Sequence, residues 1–276
     1  MTVRDDRIVG RHAILTGGSS GIGLALARQL IEREARISIV ARGEQRLARA
    51  AEELRAMGGL VATAAVDVRD AEALQAAFSS LCEQQGPCDI LVTSAGVSRP
   101  GRFEALEAES FRTQMDVNYF GTLNALRSVV PGMIERRRGS VVGISSAAAF
   151  IGVYGYTAYA ASKFAVRGLL EALRTELAPH GVHVACVYPP DVRTPMLEEE
   201  DRFKPPETRS LAGTLPPLEP ESVAASIVRG IERHRFAIVP DWPTWLLARL
   251  VGPASELIFW EIDRRIARLR RESERS

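Results

Sequence analysis

The sequence lacks an excess of either charge and contains few cysteines. Its 276 residues include 34 Asp and Glu against 35 Lys and Arg, so it has no chain-wide basic field of the kind that binds nucleic acid. The three cysteines, Cys82, Cys88 and Cys186, lack the spacing of metal ligands and cannot all pair with one another. We therefore expect no nucleic-acid partner, no metal site and reduced thiols, as in an intracellular protein.

We also expect neither a secretory signal nor an internal linker. Residues 1–10 have no apolar core that could act as a signal, which makes the cytoplasm the expected compartment. No Pro/Ser-rich linker or low-complexity tract divides residues 1–190, which favours one large domain over two small ones. We expect a domain over 7–240 and a C-terminal amphipathic and basic helical extension over 241–276.

The chain does contain a repeated alternation of short apolar runs and longer segments with helical periodicity. The expected strands are 13–16, 36–40, 62–66, 90–93, 140–144, 183–187 and 236–240. The expected helices are 23–33, 45–57, 71–84, 111–137, 159–179 and 220–233. Nearly all-apolar strands separated by helices are typical of a parallel sheet covered on both faces. The pattern predicts an α/β fold with a doubly wound, Rossmann-type parallel sheet.

This alternation lapses after Pro189, and residues 197–220 are rich in charge and proline. Long loops inside a compact domain are often lids over a site. We expect residues 191–220 to form such a lid, consisting of a loop with a short helix. The alternative is a mobile excursion on the surface.

The first expected strand runs into a glycine-rich stretch, TGGSSGIG (16–23), which opens directly onto a helix. Glycines at this place allow a tight turn and the close approach of the backbone to a pyrophosphate, and the helix N-terminus favours an anion. The stretch predicts a dinucleotide site, with a purely structural turn as the alternative. The expected cofactor contacts are Gly17, Ser19, Ser20, Gly21, Ile22 and Gly23.

The second strand ends in arginine, where an acidic residue would bind the ribose hydroxyls of NAD. Arg42 and Arg46 carry guanidinium groups that suit a 2′-phosphate, so we expect NADPH/NADP rather than NADH/NAD. The alternative is two exposed arginines at a helix start. Asp67, after the third strand, could bond the adenine amino group. The other contacts expected after the third and fourth strands are Val68, Ser94, Ala95 and Gly96.

Tyr159 and Lys163 are four residues apart in an expected helix and therefore share one face. A neighbouring ammonium favours the phenolate form of a tyrosine, whose ordinary pKa is about 10. The serine pair Ser145 and Ser146 follows the strand expected over 140–144, at the carboxyl edge of the sheet. A hydroxyl there could hold a carbonyl oxygen while Tyr159 delivers a proton. The group predicts an acid/base centre for carbonyl–alcohol interconversion.

Four motifs, TGGSSGIG, ISS, YAASK and DVN (116–118), together resemble the short-chain dehydrogenase/reductase family over about residues 11–196. The resemblance implies that Ser146 rather than Ser145 acts with Tyr159. It further implies that Lys163 binds the nicotinamide ribose and lowers the pKa of the tyrosine, and that Asn118 supports a water-linked proton relay to the lysine.

The same resemblance implies cofactor contacts after the sixth strand. These are Pro189, Val192 and Thr194, of which Thr194 contacts the nicotinamide carboxamide. The chain departs from the family where Asn-Asn-Ala-Gly usually follows the fourth strand, because it has Thr-Ser-Ala-Gly at 93–96. The hydrogen bonds that asparagine normally makes there must be replaced.

Two later stretches, YPPDVRTP (188–195) and EEEDRFKPPETR (198–209), resemble one subgroup of the family, the 3-ketodihydrosphingosine reductases. These enzymes reduce a long-chain amino ketone with NADPH in sphingolipid synthesis. The resemblance implies reduction of 3-ketodihydrosphingosine to dihydrosphingosine and a lipid-like ketone substrate. Two alternatives stay open: an enzyme for another apolar ketone or alcohol, such as a steroid, a retinoid or a 3-oxoacyl compound, and a cofactor-binding protein without turnover.

The last stretch of apolar sequence, 242–260, is interrupted by Arg249, Pro253 and Glu256 and makes a poor membrane span. We expect two short amphipathic helices that lie on a bilayer or cover a channel for an acyl chain, with ordinary packing against protein as the alternative. A basic helix over 263–271 would follow. Peripheral contact with the cytoplasmic membrane face through 242–271 is therefore one expectation.

Assembly is a further expectation from the resemblance. The helices expected over 120–137 and 159–179 resemble those that pair subunits in the family. We therefore expect a homodimer or a homotetramer.

Overall fold

The computed structural model describes residues 8–212 and 216–273, in which seven strands form one sheet. The strands are β1 (His12–Thr16), β2 (Arg36–Ala41), β3 (Val61–Ala65), β4 (Ile90–Thr93), β5 (Gly139–Ile144), β6 (Val182–Val187) and β7 (Ala237–Ile238). Their order is β3-β2-β1-β4-β5-β6-β7, and every neighbouring pair is parallel. This confirms the predicted doubly wound α/β fold.

Helices cover both faces of the sheet. They are α1 (Gly21–Ile31), α2 (Glu44–Ala56), α3 (Ala71–Gln85), α4 (Ala108–Met115), α5 (Gly121–Glu135), α6 (Thr157–Leu177), α7 (Pro195–Asp201), α8 (Pro206–Ala212), α9 (Pro220–Glu232), α10 (Trp242–Leu250) and α11 (Ser255–Ser273). The helices α1, α2 and α9 bury their apolar residues on one face, and α3, α5 and α6 bury theirs on the other. Neighbouring strand residues such as Ile14 and Leu15 belong to opposite layers, because side chains alternate along a strand.

The helix expected over 111–137 is not a regular α-helix throughout. A π turn occupies Asp116–Phe120 between α4 and α5, and one more residue per turn than in an α-helix changes the direction of the side chains. Asn118 Oδ1 accepts a hydrogen bond from the Val97 N–H at 2.8 Å, and its Nδ2 donates to the Val97 carbonyl at 3.0 Å. A single inserted residue changes the apolar periodicity too little to be visible in the sequence.

The segments after β6 are more helical than expected. The lid contains two helices, α7 and α8, instead of one, and each begins with a proline, which fits the first turn because that turn's N–H groups have no intrahelical partner. In the tail, 263–271 is the second half of α11 and not a separate helix. The last strand is also shorter than expected, since only Ala237 and Ile238 pair with β6. No helix of the described ranges is long and apolar enough to cross a membrane.

Candidate active site

The carboxyl ends of β1, β4, β5 and β6 open into a cavity with a volume of about 1100 Å³. Parallel strands end at the same edge of a sheet, which is why segments distant in sequence converge there. Most of the expected site residues line this cavity: Gly17, Ser19, Ser20, Gly21, Ile22, Arg42, Arg46, Val68, Ser94, Ala95, Gly96, Ser146, Tyr159, Lys163, Pro189, Val192 and Thr194. Among the described residues expected at the site, Gly23, Asp67 and Asn118 lie outside its wall.

The glycine-rich loop leaves no room for side chains. A Cβ on Gly17, which has φ +68°, would lie 2.7 Å from the main-chain nitrogen of Ala95. A Cβ on Gly21, with φ +52°, would lie 2.9 Å from Thr194 Cγ2. Gly23 has a different role, because a Cβ added there would lie 2.5 Å from the Gly17 carbonyl oxygen. The lack of a side chain at Gly23 lets α1 pack closely on the loop. The loop therefore brings bare backbone to the cavity.

The N-terminus of α1 faces this space. Ser20 precedes the helix and its side chain makes no capping hydrogen bond, while Ser20, Gly21 and Ile22 line the cavity. The first N–H groups of a helix have no intrahelical partner, and the helix dipole favours an anion beside them. The bare backbone of the loop and the free N–H donors of α1 both suit the pyrophosphate of a dinucleotide.

Arginines define one end of the cavity. Arg42 and Arg46 both line it, and the Arg42 guanidinium is 58% exposed. Asp67 faces other protein groups: its carboxylate pairs with Arg69 at 2.8 Å and lies 3.8 Å from Arg42. The hydrogen bond from Arg69 lowers the pKa of Asp67. Arg42, Arg46 and Arg69 supply three guanidinium groups against the one carboxylate of Asp67. These four side chains together therefore carry a net positive charge.

The two serines after β5 have different surroundings. The Ser145 hydroxyl donates to the Lys163 carbonyl at 2.9 Å, and the residue is 2% exposed. The Ser146 hydroxyl accepts from the Ala148 N–H at 3.1 Å and also lies beside Tyr159, where its hydrogen bond favours the tyrosinate. Ser146 is thus the serine next to the tyrosine hydroxyl, and Ser145 fixes the start of the loop to α6.

Tyr159 holds its proton more firmly than a free tyrosine. Desolvation raises its pKa, and the negative charge of Glu200 raises it further, against the opposing effect of Ser146. The pKa of Tyr159 is thus raised where a lowering by Lys163 was expected. The Lys163 Nζ donates to the Ile144 carbonyl at 2.9 Å and lies 5.7 Å from the centre of the tyrosine ring. Burial lowers the pKa of Lys163 itself to about 8. In this arrangement Tyr159 keeps its hydroxyl proton at neutral pH.

Asn118 has a positioning role in the structure. Besides its two bonds to Val97, its Nδ2 donates to the Ser162 hydroxyl at 2.9 Å. Its main-chain carbonyl accepts from the Thr122 hydroxyl at 2.8 Å. The residue is 1% exposed. Its amide therefore ties the segment after β4 to α6, one residue away from Lys163. A relay through this residue stays a prediction.

Comparison with known proteins places this geometry in a family. A sequence model described as short chain dehydrogenase matches residues 11–205. The chain belongs to the short-chain dehydrogenase family. This confirms the resemblance seen in the glycine-rich loop and in the Ser-Tyr-Lys residues.

Curated relatives of this short-chain dehydrogenase point to one group of reductases. A 3-dehydrosphinganine reductase of Danio rerio is 40% identical over 83% of this chain and 71% of its own length. A 3-ketodihydrosphingosine reductase of Mus musculus is 42% identical over 82% of this chain and 70% of its own. A 3-dehydrosphinganine reductase of Arabidopsis thaliana is 37% identical over 92% of this chain and 78% of its own.

Solved structures of other short-chain dehydrogenases have the same fold. One from Burkholderia phymatum, in complex with NAD, superimposes with a TM-score of 0.82 at 26% identity, covering 91% of this chain and 96% of that one. A 3-oxoacyl-[acyl-carrier protein] reductase from Brucella melitensis gives a TM-score of 0.74 at 28% identity, covering 87% of this chain and 95% of that one. The chain is an oxidoreductase of this fold and family.

The Thr-Ser-Ala-Gly sequence after β4, where this short-chain dehydrogenase departs from its family, has distinctive hydrogen bonding. The Thr93 hydroxyl, buried where the family carries asparagine, has no hydrogen-bond partner among the described residues. Two residues further on, the Ala95 N–H donates to the Thr16 hydroxyl at 3.3 Å. The replacement of asparagine's hydrogen bonds stays a prediction.

Sequence reasoning missed Glu200 and the side of the cavity that it occupies. Glu200, in α7, is 7% exposed and lines the cavity, and its Oε2 accepts from the Tyr156 hydroxyl at 2.8 Å. Burial raises its pKa. The run of four acidic residues at 198–201 resembles a solvated surface and carries no signal for such a position.

The tail helices also reach the cavity. Leu247 of α10 and three apolar residues of α11 line it, the latter being Leu257, Ile258 and Ile262. The tail therefore supplies apolar residues to the cavity, as expected of a tail that covers an apolar channel. The lid contributes Met196, Leu197 and Leu211 to the same wall.

Proposed function

We propose that this short-chain dehydrogenase reduces the ketone of 3-ketodihydrosphingosine to dihydrosphingosine with NADPH. The observation that carries the proposal is the continuity of one cavity, which joins Ser146, Tyr159 and Lys163 to an apolar wall built by the lid and tail helices. A long acyl chain needs such a wall, because its burial is favourable by about 0.8 kcal/mol per CH₂. The names of the curated relatives support this substrate.

The residues present fit a nicotinamide dinucleotide. The loop around Gly17 and Gly21 and the N-terminus of α1 would hold the pyrophosphate, and Ser94–Gly96 would lie beside the ribose. Thr194, Pro189 and Val192 would hold the nicotinamide end. When bound, the reduced nicotinamide supplies the hydride for the reduction.

Preference for NADPH over NADH rests on Arg42 and Arg46. Guanidinium groups bind a 2′-phosphate with charge-assisted hydrogen bonds, and these two are the charged side chains that line this end of the cavity. Asp67, the carboxylate beside them, is already neutralised by Arg69.

The proton chemistry follows from the side chains of the chain itself. Ser146 would donate a hydrogen bond to the ketone oxygen, and Tyr159 would transfer its hydroxyl proton to that oxygen as the carbonyl carbon is reduced. Lys163 would then stabilise the tyrosinate with its ammonium charge. The raised pKa of Tyr159 keeps its hydroxyl protonated at neutral pH, so the proton is present for transfer to the ketone oxygen.

The direct test is the consumption of NADPH, followed by absorbance, with 3-ketodihydrosphingosine and with a panel of steroid, retinoid and 3-oxoacyl ketones. We expect the sphingoid ketone to be reduced with the highest kcat/KM and NADPH to be preferred over NADH. Activity confined to another ketone would refute this substrate and leave the proton chemistry intact. No turnover of any ketone by protein that binds NADPH would refute catalysis.

A second part of the proposal is peripheral contact with the cytoplasmic face of a membrane through 242–271, the extension after the reductase domain. The described tail exposes large apolar side chains, including Trp242 at 73%, Leu257 at 67% and Trp260 at 57%. Aromatic and basic residues on one helix are typical of interfacial binding. Flotation with vesicles should recover the protein more fully with anionic than with neutral lipid, and failure to float with either would refute the contact.

The remaining part is assembly as a homodimer or homotetramer. Phe120, at the start of the helix expected to pair subunits, is 46% exposed, and Phe164 on α6 is 42% exposed. Exposed apolar side chains on the two helices expected at the interface support pairing. Light scattering should give a multiple of the 30.1 kDa chain mass; a monomer mass would refute it.

A further inference from the structure

Glu200 is a buried carboxylate that lacks a cation. Its exposure is 7%, and no lysine or arginine nitrogen of the described residues forms an ion pair with it. The cation in its neighbourhood, Lys204, pairs instead with Asp201 at 2.7 Å. An ionised carboxylate out of water is strongly unfavourable unless it is paired or hydrogen-bonded. Tyr156 supplies one hydrogen bond, and the charge of Lys204 favours the ionised form without an ion pair, but burial has the largest influence and raises the pKa of Glu200.

Two other acidic residues of the lid each lie near a cation. Asp191 lies 3.7 Å from the Lys204 ammonium, and Glu199 pairs with Arg202 at 2.9 Å. Both carboxylates are also well exposed to water, at 44% and 53%. Glu200 is therefore the lid carboxylate that a ligand in the cavity could neutralise.

The position of Glu200 connects it to the reacting atoms. Its charge acts on the pKa of both Tyr159 and Lys163. Tyr156, which holds its carboxylate, has its ring centre 5.8 Å from that of Tyr159. A ligand whose ketone oxygen meets the Tyr159 hydroxyl would thus present its neighbouring carbon atoms to this side of the cavity.

We propose that Glu200 binds the ammonium group of an amino ketone substrate. In a 2-amino ketone the amine stands on the carbon next to the carbonyl, so one molecule can reach Tyr159 with its oxygen and Glu200 with its nitrogen. The inference rests on the proposed function, because it assigns a residue to one part of that substrate. The pair would form a charge-assisted hydrogen bond, and a ketone without an amine would leave the carboxylate buried and unpaired.

The first experiment needs no variant. The unaltered protein is assayed with 3-ketodihydrosphingosine and with a ketone of the same chain that lacks only the amine. Leaving a buried charge without its partner costs enough to lower kcat/KM for the second ketone by at least about 30-fold. Equal kcat/KM for the two ketones would overturn the proposal.

The second experiment uses Glu200→Gln, which keeps the size and an oxygen acceptor for Tyr156 but removes the charge. We expect kcat/KM for the amino ketone to fall by about 30-fold and that for the des-amino ketone to stay the same or to rise. The matched control is Glu199→Gln, the exposed neighbour on α7, which should keep the preference for the amine. An equal loss with both ketones would make Glu200 a structural residue of the lid and overturn the proposal.

A binding measurement separates this proposal from the proposed function. Primary alkyl amines and alcohols of equal length are titrated calorimetrically into the NADPH-bound protein and into its Glu200→Gln variant. Tighter binding of the amine by at least about 30-fold, abolished in the variant, supports the ammonium site even if the sphingoid ketone is not reduced. Equal affinities for amine and alcohol overturn it even if that ketone is reduced.

Discussion

One end of the cavity is made of bare backbone and the other of side chains. At the glycine-rich loop, a Cβ on Gly17 would collide with main-chain atoms of Ala95, and the donors are helix N–H groups. At the lid and tail, the wall consists of long side chains from α7, α8, α10 and α11. The first end can hold a group common to many dinucleotides. At the second end, substitution of the side chains would change which ligand is bound and would leave the sheet undisturbed.

The largest expected effect lies where the two ends meet, at Tyr159. Tyr159→Phe removes the proton donor and leaves the ring, so kcat should fall by about 1000-fold. The affinity for NADPH, measured by fluorescence titration, should stay nearly the same because the backbone end is untouched. A kcat within tenfold of the unaltered protein would contradict the assignment of Tyr159 as the acid.

A smaller effect, on stability and on NADPH affinity, is expected when one methyl group is added to the glycine-rich loop. Gly17→Ala places a Cβ 2.7 Å from the Ala95 nitrogen, and we expect the free energy of unfolding to fall by about 2 kcal/mol and NADPH affinity to fall by about 100-fold, equivalent to about 2.7 kcal/mol. Gly58→Ala is the matched control, because Gly58 has φ +86° with nothing within 4 Å. Chemical denaturation should show a smaller loss for this control and unchanged NADPH affinity. Equal effects of the two substitutions would show that backbone strain alone, and not the contact, accounts for the result.

The arginines sharpen the contrast because they are charged side chains at the end of the cavity that is otherwise rich in bare backbone. Arg42→Ala and Arg46→Ala should each weaken NADPH binding by about 20-fold, since each removes a hydrogen bond to a charged group. NADH binding should not change. Arg49→Ala, on the next turn of α2 and outside the cavity wall, is the control. Equal losses for NADPH and NADH would refute recognition of the 2′-phosphate.

The effect that is smallest near neutral pH is a pH dependence. The ammonium of Lys163 has a lowered pKa of about 8, so it loses its proton as the pH rises through that value, whereas Tyr159, with a raised pKa, keeps its own. With limiting NADPH, kcat/KM for reduction should therefore decline above about pH 8, approaching tenfold per unit. Lys163→Arg, which keeps its charge, should move the decline to higher pH. A profile that stays flat up to pH 10 in the unaltered protein would contradict this role.

The sequence predicts well which residues line the glycine-rich end of the cavity, because the determinants of that loop are local. Residues 16–23 are contiguous, and a strand, a loop and a helix follow each other without a tertiary contact being needed. Ser146, Tyr159 and Lys163 come from two segments, yet the topology of a parallel sheet is enough to bring them to one edge. The alternation of strands and helices therefore gives the fold and the placement of these residues.

The substrate end cannot be predicted in this way. Glu198, Glu199, Glu200 and Asp201 have the same character in the sequence, and only the tertiary structure buries Glu200 and brings it to Tyr156. The direction of the Tyr159 pKa shift is also a matter of burial, which no spacing reveals. Likewise, the tail has an amphipathic pattern that fits a membrane or a protein equally, and its approach to the cavity depends on where α10 and α11 fold back.

The π turn at Asp116–Phe120 makes the chain intolerant of a change in length at this place. Removing one residue would let α4 and α5 merge into a regular α-helix, but it would rotate one of them relative to the other by about 100°. Asn118 would then turn away from Val97 and Ser162 and lose three hydrogen bonds. Substitutions on the outer face of this turn can be absorbed, whereas a single-residue deletion would put two helices out of phase. The least regular turn of the helix is therefore the one whose residue number is most strictly fixed.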